Sequence, residues 1–550
     1  MATGRDILFD VLADEGVEHV FGNPGSTELP FIDELAVRPE FHYVLALQEN
    51  TAVGMADGYA QASGRPAFVN LHTSAGLGGG VGNLTNALAN RTPLVVTAGQ
   101  QDRRHLIADP LLSGDLVGLA RPVSKWQHEV RHLGELGTTL RRAFKDAATP
   151  PTGPVFVSIP MDVLDDADDE VTAPPRSRVE WGSVAGGLDE CADLLADAAP
   201  DELCMVIGDE VAIEGGIDAA VAVAEALGCT VFSAPLYSNL NFPTDHPQWA
   251  GMLIPFANAC RAQLEPFRRV FWVGAQAALV YPYTPGPAIP PSVELIHLDN
   301  DPSEIGRTYP VRLGLAGGVS ATLAALAPVL RQKVDAGAAT RAVEARRDQA
   351  RQAMEGFEQT ALDRYDQVPM NAMATGHALA RALPAHGVIV DEAVTSGIYV
   401  RGFQRTAEPG SYYFCRGGGL GWGMPAALGV QLARPDRPVL CAIGDGSVMY
   451  AVQSLWTAAH EGIPVVFGVF NNRQYKILKD NLAHSMGRSA ETGRYVAMDI
   501  EDPPIDYVGL ARSMGVEAML VEKAADVTDA AAAAFESGKP WLLELPITAG

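Results

Sequence analysis

The stretch PVLCAIGDGSVMYAVQSLWTAAHEGIPVVFGVFNN, residues 438–472, decides how this chain folds. An apolar run, VLCAI, ends at Gly444-Asp445-Gly446. A helical segment follows through roughly Glu461, and a second apolar run ends at Asn471-Asn472. Short buried runs bounded by turn residues and joined by a helix predict a βαβ unit with parallel strands. In a right-handed unit both strands present their carboxyl ends on one side, so Asp445 and Asn472, 27 residues apart, are expected to converge at a crevice. A carboxylate and an amide oxygen suit Mg²⁺, whose octahedral all-oxygen shell is commonly completed by phosphate and water. Gly444 and Gly446 let backbone N–H groups approach a diphosphate, and a helix beginning near Ser447 adds its positive end. Gly-Asp-Gly alone fits any tight turn; the asparagine closing the next strand makes the pattern specific to a diphosphate–metal cradle.

Outward from this unit the same alternation recurs. PVFVSIP, CMVIGD, RVFWVGA, VELIHLD and GVIVDE each sit between Ala-rich helical segments, which predicts an α/β chain built on doubly wound parallel sheets. The two ends also echo one another. Arg65-Pro66 leads into AFVNL, a Gly-rich turn, a helix and Pro93 before LVVTAG; Arg437-Pro438 leads into VLCAI, GDG, a helix and Pro464 before VVFGVF. The proline spacings are 27 and 26 residues, which suggests a shared fold for the outer domains. Two charged stretches, DDADDEVTAPPRSR at 165–178 and RAVEARRDQARQAMEGFEQ at 341–359, read as solvated linkers or exposed helix. They divide the 550 residues into three domains, expected at 1–175, 183–338 and 360–550.

Composition narrows the function. The chain is 47% hydrophobic and 19% charged, as in a globular protein and unlike a disordered one. Its 40 Lys and Arg against 66 Asp and Glu give a net charge of −26, so a nucleic-acid partner would meet net repulsion. Six scattered cysteines without a C-x-x-C pair argue against a disulfide framework or structural zinc and point to a reducing, cytoplasmic home. The amino end, MATGRDILFDVLADEGVEHVFG, lacks the form of a signal peptide, and no apolar run reaches the length of a membrane span.

The cradle resembles the metal and cofactor motif of the thiamine diphosphate (ThDP) enzymes. The resemblance runs nearly end to end, through FGNPGSTELPF, ALQE, MADGYAQASGRPAFVNLHTSAG, TPLVVTAGQQ, PGSYYFC, GGLG and GDGS with SLWTAA. It implies pyrimidine-binding, middle and diphosphate-binding domains. It makes Asp445, Asn472 and the main-chain carbonyl of Gln474 the metal ligands, and adds Gly444, Gly446, Ser447 and Tyr475 to the cofactor contacts. In LALQENTAVGMADGY it assigns Glu49 to the aminopyrimidine ring, where an ordinary first-turn glutamate would otherwise be the simpler reading. In SYYFCRGGGLGWGMPAALG, residues 411–429, it makes Leu420 the apolar support of the bent cofactor and Gly418 a main-chain partner of the pyrimidine amine. The loose G-x-G-x-x-A there, interrupted by Pro425, is a weak dinucleotide signal and disfavours an NAD-dependent oxidoreductase.

Within the family the resemblance is to 2-oxo acid decarboxylases acting on aromatic acids such as benzoylformate. It makes Ser26 the holder of the substrate carboxylate and His72 a proton shuttle, work that suits an imidazole titrating near neutrality. One position departs. That branch carries a second catalytic histidine before a Tyr-x-Pro-Gly, and an ungapped reading of GAQAALVYPYTPG puts Tyr281 there. A phenol with a pKa near 10 is a poor shuttle at neutral pH. The departure keeps open a carboligase or 2-hydroxyacyl-CoA lyase acting at the same carbanion, although no convincing Arg and Lys cluster for CoA is found. A non-catalytic scaffold would have no physical need to keep Glu49, His72, Asp445 and Asn472 together. The resemblance further implies a small 2-oxo acid or aldehyde as partner and a homo-oligomer, a dimer at minimum and a tetramer by preference, because Glu49 of one subunit faces the cradle of another.

Overall fold

The computed structural model describes residues 1–548. It contains three six-stranded α/β sheets. In the amino-terminal sheet the strands lie in the order His42–Leu45, His19–Gly22, Ala67–Leu71, Leu94–Gln100, Val155–Pro160 and Gln127–Glu129, all parallel. The carboxyl-terminal sheet runs Val388–Glu392, Val439–Gly444, Val465–Asn471, Trp541–Pro546 and Glu517–Leu520, with the short strand Tyr412–Phe414 at its edge. Setting aside the edge strands His42–Leu45 and Tyr412–Phe414 and numbering the rest by chain order, both sheets run 1-2-3-5-4. The echo between the chain ends is therefore one of topology. The two proline-led units, Ala67–Leu71 with Leu94–Gln100 and Val439–Gly444 with Val465–Asn471, occupy the same central positions.

The middle sheet is wound differently. Its order is Trp249–Met252, Thr230–Ser233, Leu203–Ile207, Arg269–Val273, Glu294–Asp299 and Leu313–Ala316, which is 3-2-1-4-5-6 by chain order, the doubly wound dinucleotide-fold arrangement. By compactness the chain forms two units, residues 1–179, 365–398 and 415–550, and residues 180–364 with 399–414. The acidic stretch at 165–178 is mostly exposed, and the Ala-rich charged segment lies in an exposed helix, Ala336–Leu362. Among the described residues no helix is long and apolar enough to cross a membrane.

In the first unit the central strands are apolar on both faces, as sheets covered by helices on both sides require; residues 439–443 and 465–469 are buried throughout. The amino-terminal helix Glu49–Ser63 starts where the Gln48 side chain caps Thr51 N–H and stops at Gly64 with φ +68°. Its counterpart, Gly423–Ala433, crosses it with almost no room to spare. A Cβ at Gly58 would lie 2.1 Å from the Ala426 carbonyl oxygen, and one at Gly429 1.9 Å from that of Met55. The two equivalent helices thus meet through glycines, backbone to backbone.

Candidate active site

Two strand ends, one in each outer domain, carry the residues singled out from the sequence. Strand Val439–Gly444 turns at Gly444 into a short helix, Asp445–Val448. The helix expected through Glu461 is broken. It resumes only at Ser454–Glu461, because residues 450, 451 and 454 bond three residues back as turns do. The break brings Tyr450 against Gly421, whose Cβ position is 2.8 Å from Tyr450 Cβ.

The turn also buries the Asp445 carboxylate, which is 3% exposed. Its Oδ1 accepts the Gly446 N–H at 2.9 Å and its Oδ2 the Arg473 N–H at 2.6 Å; burial lifts its pKa to about 6 against the pull of those bonds. Arg473 lies between Asn472 and Gln474 in a left-handed conformation (φ +58°), a strain of about 1–3 kcal/mol for a residue other than glycine. One residue on, the Gln474 N–H donates to Asn472 Oδ1 at 3.1 Å. Asp445, Asn472 and Gln474 are thereby gathered at neighbouring strand ends. Tyr475 lies over the turn, with its Cε1 2.6 Å from a Gly446 Cβ position, and Tyr507 O–H donates to the Asp445 carbonyl at 3.0 Å. Ser447, two residues on, is also buried. The bonds described leave lone pairs on Asp445 and Asn472, and hard oxygens of this kind fit Mg²⁺.

At the equivalent strand end of the amino-terminal domain stands His72, at the N-cap position of the helix Thr73–Ala89. Thr73, buried and β-branched, has φ +45°, so this turn is strained as the one at Arg473 is. His72 Nδ1 lies 2.7 Å from Glu28 Oε2 and 3.1 Å from Thr27 Oγ1. Glu28 is 2% exposed and also accepts from Thr27 Oγ1 at 2.6 Å, Gly25 N–H at 3.0 Å and Gly99 N–H at 2.9 Å. A carboxylate so surrounded is an acceptor for His72 Nδ1–H, which leaves Nε2 as the working nitrogen. Ser26 is exposed in the same turn, two residues from Glu28. Glu49 opens its helix half-buried; Oε1 accepts from Asn23 Nδ2 at 3.1 Å, and Gly79 approaches so closely that a Cβ there would be 2.9 Å from Oε2. Asn23, Ser26, Glu28 and Glu49 thus border two adjacent turns beside His72.

The glycine-rich loop before Gly423–Ala433 is the third piece. Gly418 is exposed with φ +73°, and its Cβ position has no neighbour within 4 Å, the open face a main-chain ligand contact needs; Leu420 is half-buried. The Gly421 and Gly423 N–H groups donate to Glu392, and Trp422 Nε1–H to the buried Asp57 at 2.7 Å. Tyr281 belongs to the second unit; its side chain is 64% exposed and its N–H donates to the Pro255 carbonyl at 2.7 Å. Sequence reading passed over Glu28, Asp57, Glu392 and the asparagines 83 and 86. Only Glu28 had a local signal, lying three residues after Gly25 in a turn whose amide it caps.

Comparison with known proteins identifies the family. Family profiles for the thiamine pyrophosphate enzymes match in three places: the N-terminal TPP-binding domain over residues 2–113, the central domain over 188–326 and the C-terminal TPP-binding domain over 392–545. The chain is 33% identical to benzoylformate decarboxylase of Pseudomonas aeruginosa, covering 99% of both chains. It is 30% identical to a putative acetolactate synthase large subunit, IlvX, of Mycobacterium tuberculosis, again over 99% of both. The structure of the Rhodococcus jostii RHA1 thiamine diphosphate-dependent 4-hydroxybenzoylformate decarboxylase superposes with a TM-score of 0.86 at 31% identity, covering 100% of this chain and 99% of that one. With three domain matches in order and full-length identity above 30%, the chain belongs to the thiamine pyrophosphate enzymes.

Proposed function

We propose that this chain is a ThDP- and Mg²⁺-dependent lyase that removes CO₂ from a 2-oxo acid, an aromatic one such as benzoylformate, and releases the aldehyde. The observation that carries the reading is the His72–Glu28 pair, at 2.7 Å, beside the exposed Ser26 and on the same domain as Glu49. Asp445, Asn472 and the Gln474 carbonyl would hold the metal. Gly444, Gly446, Ser447 and Tyr475 would line the diphosphate, with Gly418 and Leu420 at the pyrimidine ring. When bound, ThDP supplies the carbon nucleophile and the electron sink.

The protein's own share is positional and protonic. Ser26 orients the substrate carboxylate. Glu49 holds a proton at the aminopyrimidine N1′. His72 delivers a proton through Nε2, its tautomer set by Glu28. Tyr281, exposed where a second histidine is expected, favours a second reading in which an acceptor aldehyde is ligated. We further propose a homodimer or homotetramer, with Glu49 serving a partner's cradle, in a reducing, cytoplasmic setting suited to six buried thiols.

The test is to incubate the protein with ThDP and Mg²⁺ and follow CO₂ and aldehyde from benzoylformate, pyruvate and branched 2-oxo acids, with Glu49→Gln as control. Glu49-dependent release of benzaldehyde is the expected result. Cofactor binding without CO₂ from any acid would overturn the decarboxylase and leave the ligase.

A further inference from the structure

The loop that would carry the pyrimidine contacts is gripped from one side. The Asn86 side chain pairs with the peptide of Gly419 through both of its groups: Nδ2 donates to the Gly419 carbonyl at 2.9 Å and Oδ1 accepts the Gly419 N–H at 3.0 Å. The approach is close enough to require glycine, since a Cβ at Gly417 or Gly419 would lie 2.5 or 2.8 Å from Asn86 Oδ1. Gly418, between them, has its Cβ direction open. The loop is hydrogen-bonded to Asn86 at 419, packed tightly against it at 417, and free at the residue expected to meet the cofactor.

Asn86 is itself braced. Its Nδ2 also donates to Asn83 Oδ1 at 2.8 Å, and Asn83 Nδ2 donates to the Gly421 carbonyl at 3.2 Å and to the Asn50 carbonyl at 2.7 Å. Asn50 Oδ1 in turn accepts the Asn83 N–H at 2.7 Å. Asn50 follows Glu49 directly. A continuous run of amides therefore joins the start of the Glu49 helix to the Gly419 peptide. Asn83 and Asn86 are buried, and a pair of amide bonds in such surroundings sets both distance and orientation.

We propose that Asn86, braced by Asn83, is a positioning residue that sets the Gly418–Leu420 loop against the aminopyrimidine ring of the bound cofactor. It touches no substrate; it acts by orienting the Gly418 carbonyl. The inference rests on the functional reading above, because it requires that this loop meet ThDP.

The experiment uses the full-length protein with ThDP and Mg²⁺ and three readouts: ThDP affinity by calorimetry, exchange of the cofactor C2 proton for deuterium at saturating ThDP, and thermal midpoint. Asn86→Ala removes both bonds to Gly419; the isosteric Asn86→Asp keeps the acceptor, loses the donor, and carries the test if the alanine variant does not fold. The expected result is ThDP affinity and C2 exchange each reduced by about tenfold or more in Asn86→Ala, on the scale of buried hydrogen bonds left unmade, with Asn86→Asp falling between it and wild type. Folded variants with wild-type affinity and exchange, whatever their thermal midpoint, would overturn the proposal. A wild-type protein that binds no ThDP would instead overturn the functional reading on which it rests.

Discussion

The two outer domains have one strand order and two kinds of chemistry. His72 and Asp445 occupy equivalent positions, at the carboxyl end of corresponding central strands, and each begins a helix. Around His72 the structure places a buried carboxylate, a hydroxyl and a second glutamate, groups that move or hold protons. Around Asp445 it places amide oxygens and backbone N–H groups, which suit the holding of ions rather than proton transfer. The strand end supplies geometry, and under the proposed function the side chain set there would decide whether a copy of the unit holds the cofactor or works on its reaction. A non-glycine residue with positive φ stands near each, but not at matching positions: Thr73 directly follows His72 after Ala67–Leu71, whereas Arg473 follows the next strand, Val465–Asn471, and reaches Asp445 through its N–H.

That division is open to breakage, most severely at the two carboxylates. Asp445→Ala is expected to abolish the rise in thermal midpoint that ThDP with Mg²⁺ produces, because ligand stabilisation requires binding. Glu49→Gln should keep that rise and lose activity by about 10²–10⁴-fold, the usual scale of a positioned acid or base. A Glu49→Gln protein that no longer binds cofactor would erase the distinction between a holding and a working domain. Next in size is Glu28→Gln, which leaves the shape of the site but removes the charged acceptor of His72 Nδ1–H. A fall in kcat of about tenfold to hundredfold with KM little changed is expected from steady-state kinetics; an unchanged kcat would mean that His72 works without its partner.

The contact between the equivalent helices offers a smaller, purely structural test. Gly429→Ala puts a methyl 1.9 Å from the Met55 carbonyl oxygen and 2.7 Å from the Tyr59 nitrogen. Denaturation should show a loss of about 1–3 kcal/mol, the cost of overpacking a tight contact, and full stability would show that the helices part readily.

The smallest effect concerns Glu392, beneath the glycine-rich loop. Burial, helped by neighbouring Asp391, lifts its pKa from 4.5 to about 8 against the N–H groups of Gly423, Gly421 and Trp422. Between those values the unfolded chain has lost a proton that the folded one keeps, so this residue's contribution to stability falls as pH rises from about 4.5 through about 8. Glu392→Gln removes that titration. Its thermal midpoint without cofactor should decline less steeply over the window than that of wild type, and equal slopes would show that the group titrates normally.

The fold was largely legible beforehand. Apolar runs of strand length alternate with helical segments, the proline-led units repeat at spacings of 27 and 26 residues, and both features survive in the sheets. The break after Val448 was not legible, because residues 449–453 continue a plausible helical pattern and it is the tertiary structure that sets Tyr450 against Gly421. Of the candidate site, the residues named from the sequence lie on strand ends and glycine turns, where local spacing places them. The groups that brace them were missed, since a buried glutamate or asparagine looks like any other until its partner is known.

By itself, the sequence determined the parallel α/β architecture and the meeting of Asp445 with the Asn472 segment, which rest on local spacing: strand alternation, helical periodicity and glycines at forced turns; the family was legible as a resemblance carried by motifs along the chain. What the tertiary structure alone decided are pairings across long stretches of chain, Glu28 with His72 over 44 residues, Asn86 with Gly419 over 333 and Asp57 with Trp422 over 365. No periodicity reaches so far. The last two exist because two copies of one fold are pressed together through glycines, and the buried polar groups this traps must find partners across the seam; Glu28 and His72 meet within the amino-terminal domain, where two turns distant in sequence close on each other.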